Sequence, residues 1–257
     1  VDNSPYIRPP GTFYETLPAV RDGRDTVEVA IVQDHRFAFF YWQKWKTLKK
    51  EGFRPPVLVS LDWHQDLAGP DDEEKDELRN LDPEDYLSVG RFCWEKLNQL
   101  NDGHILAAAF LNLIGDIHIL HKQEDDSGPN FKGLSGENHE IVCYKTAEAL
   151  VAGLTRREGY DDAYFDIDLD YFTESPDSCG GGKEVVLVDD GEIAAVLSPD
   201  GALMKWVLHR LAGMTIATEP EFCGGMVNSN RIFNIVDETL FTGRLVSGAC
   251  GWRHLAT

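Results

Sequence analysis

The sequence predicts an α/β protein: three layers, α/β/α, around a mostly parallel central sheet. Three observations carry this. Short apolar, β-branched runs alternate with segments of helical periodicity, the pattern of strand–helix units that place helices on both faces of a parallel sheet. The length of 257 residues suffices for one sizeable core, so residues 1–257 read as a single domain. Acidic residues and histidines cluster directly after the apolar runs, and ligands of such sheets bind outside the carboxyl ends of the strands.

Taken in order, residues 1–25 are rich in Pro, Gly and charge and read as an irregular N-terminal arm. Residues 27–32 form the first core strand, ending at Gln33-Asp34-His35, and aromatic residues at helical spacing make 37–50 a helix. Pro55-Pro56 stops that helix, and 57–61 is the second strand. The acidic segment 71–85 reads as a solvated loop or short helix, and 87–100 as a helix. Asn101-Asp102-Gly103 starts another helix over 104–114, supported by Ala107-Ala108-Ala109. A polar loop over 122–137, a short strand over 141–144 and a helix over 146–157 follow. Residues 163–167 are a strand, Cys179-Gly180-Gly181-Gly182 a turn, and 185–188 a strand. A helix over 200–212, a strand over 214–218 ending at Glu219-Pro220-Glu221, and a helix over 226–241 complete the reading. The chain has no internal repeat.

With 24 Lys and Arg against 44 Asp and Glu, the formal charge is −20. Phosphate binding needs a basic surface, so nucleic acid is excluded as a partner. A cationic substrate would be drawn to such a chain, although the same charge also serves solubility. Five scattered cysteines, odd in number, fit a reduced cytoplasmic protein without a disulfide framework or zinc ribbon. No apolar stretch reaches membrane-spanning length and no secretory signal is visible, so cytoplasm is the expected compartment and no membrane partner is expected. The initial Val is expected of a trimmed or tagged start.

The chemistry concentrates in Ser60-Leu61-Asp62-Trp63-His64-Gln65-Asp66 and Phe165-Asp166-Ile167-Asp168. Side chains alternate along an extended strand, which would project Asp62, His64 and Asp66 to one side, and Asp166 and Asp168 likewise. Such carboxylates repel one another, and a pair of divalent cations is the simplest neutralisation. Asp62 and Asp166 are the natural bridges, with His35 and Asp66 completing one site and His64 and Asp168 the other. Oxygen-rich ligands with one nitrogen per cation suit Mn²⁺ better than Zn²⁺. Two such cations sharing a water generate hydroxide near neutral pH. Asp170 continues the alternation and reads as an exposed turn residue, with orienting a ligand as the alternative; Asp34 has the same alternative. His118, His121, His139, His209 and His254 read as structural. Gly180-Gly181-Gly182 lacks the Lys-Ser or Lys-Thr of a phosphate loop.

The order and spacing of these residues resemble the arginase–agmatinase superfamily of ureohydrolases, which also includes histone-deacetylase-like enzymes. Asp34-His35 is similar to its Asp-His metal element, Asp62-Trp63-His64-Gln65-Asp66 to its Asp-Ala-His-x-Asp motif, and Phe165-Asp166-Ile167-Asp168 to its Phe-Asp-x-Asp motif. Glu219 or Glu221 resembles its guanidinium-binding Glu. The resemblance implies the arginase/deacetylase-like fold and two Mn²⁺, the first on His35, Asp62, Asp66 and Asp166, the second on Asp62, His64, Asp166 and Asp168. It further implies attack of a bridging hydroxide on a guanidinium carbon, releasing urea and leaving ornithine. A histidine serves as proton shuttle in that family; His104 is the first candidate here and His118 the weaker one.

Members acting on free arginine hold its α-carboxylate and α-amine with Asn and Ser groups beyond the Asp-Ala-His-x-Asp motif. Here Leu67-Ala68-Gly69-Pro70 and an acidic run follow Asp66. That environment suits a basic peptide. Trp63 and the aromatic run Phe39-Phe40-Tyr41-Trp42 resemble a divergent branch that includes peptide arginases, which convert arginine to ornithine in ribosomally made peptides during natural-product maturation. A manganese-dependent hydrolase acting on an arginine-containing peptide is therefore the leading expectation. A homo-oligomer stays open, since relatives often assemble. The alternatives are a ureohydrolase of a small guanidino compound, a mononuclear zinc deacetylase or amidohydrolase of the same superfamily, whose sites use an Asp-x-His pair and one later Asp so that Asp66 and Asp168 argue against it, and a non-catalytic acidic binding module.

Overall fold

The computed structural model describes residues 2, 4, 6–21, 25–49, 54–124 and 130–255. Its first strand, β1 (Phe13–Pro18), lies inside the segment expected to be an irregular arm. Composition misled there: β1 pairs antiparallel with β2 (Thr26–Val32), Phe13 opposite Ile31, and Pro18 sits at the strand's last position on the sheet edge, where a missing N–H is tolerated. One 3₁₀ turn (His35–Phe37) leads into α1 (Ala38–Leu48), which is buried all round from Ala38 to Trp45. The strand β3 (Val57–Leu61) is buried at every position, as a central parallel strand covered on both faces must be.

The acidic segment after it is the helix α2 (Asp72–Asn80). Asp71 caps it by accepting from the Glu74 N–H, and three acidic residues occupy the first turn, where the helix dipole favours them. Asp85 caps α3 (Tyr86–Glu95), which ends short of residue 100. Next come α4 (His104–Phe110) and β4 (Ile117–Leu120), a strand too short to declare a periodicity in the sequence. The expected loop over 122–137 contains β5 (Asn130–Lys132), which pairs antiparallel with β6 (Asn138–Tyr144); residues 125–129 of that loop lie outside the described residues. Thr146 caps α5 (Ala147–Arg156), and β7 (Ala163–Asp168) is again fully buried.

The run expected as a strand over 185–188 forms only a two-stranded ribbon, β8 (Thr173–Glu174) with β9 (Val186–Leu187), outside the central sheet. An unforeseen helix α6 (Asp190–Val196), capped by Asp189, precedes α7 (Ala202–Arg210), β10 (Leu211–Ala217) and α8 (Met226–Leu240). A second ribbon, β11 (Phe241–Thr242) with β12 (Gly251–Trp252), follows.

The sheet has eight strands in the order β1-β2-β10-β7-β3-β4-β6-β5, parallel from β2 to β6 with antiparallel edges. One buried cluster joins the sheet to α1, α3 and α4, and a second joins its other face to α5, α6, α7 and α8. This is the expected three-layer α/β/α fold with a mostly parallel sheet. Glycine at 213 lets the Trp45 ring lie directly on β10, since a Cβ there would approach it to 2.4 Å. Among the described residues no helix is long and apolar enough to cross a membrane.

The topology puts β3 and β7 side by side in the middle of the sheet, with β10 and then β2 beyond β7. Ser60 lies opposite Asp166 and Leu61 opposite Ile167, while Thr215 flanks Asp166 on the other side and Ala217 flanks Asp168. The carboxyl ends of β2, β3, β7 and β10 thereby converge on one place.

Candidate metal centre

The strand β3 ends at Leu61, so the segment from Asp62 to Asp66 is a loop rather than the alternating extension expected. Its amides are held by side chains: His64 N–H donates to Asp62 Oδ1 (2.6 Å), Trp63 N–H to Asp170 Oδ1 (3.1 Å) and Gln65 N–H to Gln123 Oε1 (2.9 Å). Asp66 takes a left-handed φ of 52°. The loop nonetheless delivers all three functional side chains to the strand ends. His35 Nδ1 lies 3.3 Å from Asp62 Oδ2, 3.0 Å from Asp66 Oδ2 and 3.1 Å from Asp168 Oδ2. His64 Nδ1 lies 3.5 Å from Asp62 Oδ1 and 3.1 Å from Asp170 Oδ2.

Asp170 is thus no exposed turn residue. After β7 the chain tightens into a 3₁₀ turn (Leu169–Phe172), and Asp170 is 1% exposed within it. Asp166 lies deeper in the sheet. Its Oδ2 is 2.8 Å from both His35 Nε2 and Ser60 Oγ, and its Oδ1 accepts from Thr215 Oγ1. Asp34 sits at the start of the turn with Oδ2 3.5 Å from Arg36 Nη2, and orients none of these groups.

The electrostatics are those of a cage short of positive charge. Burial, then the Asp62 charge, pushes the Asp66 carboxyl well above the usual carboxylate range. Burial and Asp170 do the same to Asp168, and burial and Asp62 raise Asp170. Burial would also raise Asp62 and Asp166, but the imidazoles outweigh it and hold both low. Burial would lower His35, yet the Asp166 charge and hydrogen bond hold its proton on well above the ordinary range. Among the described residues, buried His35 Nδ1, Asp62 Oδ2 and Asp170 Oδ2 have no hydrogen-bond partner. Buried polar atoms are almost always satisfied, so three such atoms among carboxylates and imidazoles fit residues that could hold a cation. Among the described residues, three groupings place their ligand atoms within 4.8 Å of one another: His35, Asp62 and Asp168; Asp62, His64 and Asp66; and His35, Asp66 and His104.

This cage forms the floor of an open cleft of about 910 Å³. The cleft walls carry Asp102, Glu124, Glu174 and Asp177 against a single described lysine, Lys122, whose Nζ donates to the Thr173 carbonyl and to Glu174. Glu219 lines the cleft and is 6% exposed; its Oε1 accepts from the His35 N–H (2.7 Å) and Asn101 Nδ2 (2.8 Å). Burial, then Asp168, raises its carboxyl well above the usual range. Glu221 is exposed and lines a separate groove beside Pro220 and Met226. The sequence marked Asn101 only as part of a helix start, yet it shares an uncommon backbone with two residues of the site. Asp66, Asn101 (φ 64°) and Glu219 (φ 28°) all hold strained left-handed conformations.

The glycine-rich turn forms the wall over His64. His64 Nε2 lies 2.8 Å from the Cys179 carbonyl, which can only accept, so Nε2 carries the proton there. Gly180 has a φ of +69°, and a Cβ on it would sit 3.0 Å from the Trp63 ring, so the close approach needs glycine.

His104 does not reach the cleft wall. It is fully buried, 4.2 Å from the His35 ring and stacked on Trp42, with Nδ1 3.8 Å from Asp66 Oδ2; burial holds its pKa down to about 3. It is placed as part of the cage wall rather than as a cleft-facing shuttle. His118 lies in β4 away from the cage, between the Tyr144 and Tyr160 hydroxyls at 2.9 and 3.0 Å, with Tyr160 donating to Asp116. Burial, then Arg157, lowers its pKa to about 4.

That structural role has a pH signature. The unfolded chain takes up a proton near pH 6.5 that the buried His118 ring refuses until about pH 4. Stability is therefore lost as pH falls through that window, by up to roughly 1.4 kcal/mol per pH unit. His118→Gln is expected to flatten the decline relative to wild type between pH 6.5 and 4, read from urea midpoints; equal slopes would count against it.

No protein-family model matches the chain, and no curated protein matches it.

Proposed function

We propose that this chain is a binuclear metallohydrolase that removes urea from arginine side chains of a peptide, leaving ornithine. The observation that carries this is the cage itself: buried carboxylates around the His35 and His64 imidazoles, with His35 Nδ1, Asp62 Oδ2 and Asp170 Oδ2 orphaned, at the carboxyl ends of adjacent central strands, under a wide acidic cleft. His35, Asp62, His64, Asp66 and Asp168 are the residues that would hold two divalent cations. Mn²⁺ suits so oxygen-rich a set. Bound there, the cations would supply Lewis acidity and a water that ionises near neutral pH.

The rest falls to the chain. Glu219 would pair with the substrate guanidinium, its Oε1 held in place by the His35 amide and Asn101. The Cys179 carbonyl holds the Nε2 proton on His64 and so turns Nδ1 toward Asp62 and Asp170. Lys122, engaged by Thr173 and Glu174, offers no free cation for an α-carboxylate, and the cleft far exceeds one side chain, which favours a peptide over free arginine. A small guanidino compound is the second reading.

Mass spectrometry of an arginine-containing peptide and of free arginine, each incubated with the protein with and without Mn²⁺, tests this. The peptide alone is expected to lose the mass of cyanamide, with urea appearing only when Mn²⁺ is present. Turnover of free arginine would support the second reading. No change in either, in protein shown to hold two cations, would defeat both.

A further inference from the structure

We propose that the sixth cation ligand is Asp170, and that Asp166, the residue the sequence motif nominates, is a positioning residue that aims His35 into the cage. The inference rests on the two-cation reading but concerns which of this chain's residues serve it. It sets the ligand register two residues further along the chain than the motif implies, past the end of β7 and into the 3₁₀ turn.

Three observations separate the two carboxylates. The first is saturation. Asp166 has both oxygens engaged, Oδ2 by His35 Nε2 and Ser60 Oγ and Oδ1 by Thr215 Oγ1, whereas Asp170 Oδ2 is buried without a hydrogen-bond partner and lies 3.1 Å from His64 Nδ1. The second is depth. Asp166 lies within the paired part of the sheet, opposite Ser60 and Thr215. Leu61 is opposite Ile167, so Asp62 follows at the level of Asp168. At about 3.3 Å per residue, Asp166 is roughly 6.6 Å further in.

The third is the nitrogen that Asp166 touches. Asp166 Oδ2 accepts from His35 Nε2 at 2.8 Å, while Nδ1, on the other side of the ring, faces Asp62, Asp66 and Asp168. A carboxylate behind a histidine fixes the tautomer and direction of the nitrogen in front. Ser60 and Thr215 fix Asp166 in turn. The ligand sets become His35, Asp62, Asp66 and Asp168 for one cation, and Asp62, His64, Asp168 and Asp170 for the other.

The test combines manganese content by elemental analysis across a Mn²⁺ titration with the imidazole N–H resonances of metal-free, ¹⁵N-histidine-labelled protein. Asp166→Asn is expected to take up as many Mn²⁺ per chain as wild type at saturation, with roughly 10–100-fold weaker affinity. Asp170→Asn is expected to hold one fewer. Thr215→Val, which touches no cation, is expected to weaken affinity in the same direction. Asp166→Ala is expected to lose the hydrogen-bonded His35 Nε2–H resonance, which a merely structural aspartate would leave in place.

Loss of a cation in Asp166→Asn with full content in Asp170→Asn would overturn the proposal. So would wild-type affinity in Thr215→Val, which stands as the test if Asp166→Ala does not fold. Wild-type protein taking up no Mn²⁺ would end both the two-cation reading and the Asp170 assignment. In that case the Nε2–H resonance still decides the Asp166 role, because it is read without metal.

Discussion

Asp62→Asn is expected to abolish Mn²⁺ binding and turnover together, and with them the stabilisation that Mn²⁺ is expected to give the wild-type fold. Asp62 is the one carboxylate whose two oxygens face the two imidazoles separately, Oδ2 toward His35 Nδ1 and Oδ1 toward His64 Nδ1. Losing its charge therefore weakens both cation positions at once. A cation that binds only the folded state stabilises it by about 2.7 kcal/mol at a hundred times its dissociation constant. For a chain of this size that is a rise of roughly 5–10 °C in melting temperature. Wild type should show at least that shift on adding Mn²⁺, and Asp62→Asn none. An undiminished shift in the variant would mean that the cations, if any, bind elsewhere.

The second large effect is expected at Glu219. Glu219→Gln keeps the shape and an acceptor for the His35 amide but removes the charge that would meet a guanidinium. Turnover of the arginine peptide should fall by about 10²–10³-fold, the range for deleting one electrostatic group aimed at a reacting centre. Mn²⁺ content should stay at the wild-type value. Glu221→Gln serves as the control, because Glu221 is exposed and faces a different groove. Kinetics on the same peptide would show it near wild type. Equal losses at the two positions would remove the reason for assigning the guanidinium to Glu219.

The sequence disclosed the cage where residue type and strand position coincide. Buried apolar runs marked β3 and β7, and carboxylates after such runs have few structural uses, so Asp62, His64, Asp66 and Asp168 were visible at once. Asp170 was misread because alternation says nothing once a strand has ended. The 3₁₀ turn that buries it is set by Asp168 Oδ1 accepting its N–H and by Trp63 N–H donating to its own Oδ1. The second of these is a contact between distant parts of the chain.

Glu219 and Glu221 are equivalent by composition, and the left-handed backbone at Glu219, its burial and its bonds to the His35 amide and Asn101 separate them. The Cys179 carbonyl on His64 is a main-chain contribution that no residue type announces, although the glycines after it record the close approach. At fold level, β1 and β4 escaped for the opposite reason. They are short, one disguised by charge and proline and the other by length, and pairing with neighbours makes them strands.

The central claim is that the cage holds two cations, and anomalous X-ray diffraction from crystals grown with Mn²⁺ tests it most directly. Two anomalous peaks are expected, one beside His35 Nδ1 and one beside His64 Nδ1, with Asp62 between them. A map with no peak among these residues, from protein that binds Mn²⁺ at other places or not at all, would contradict the account.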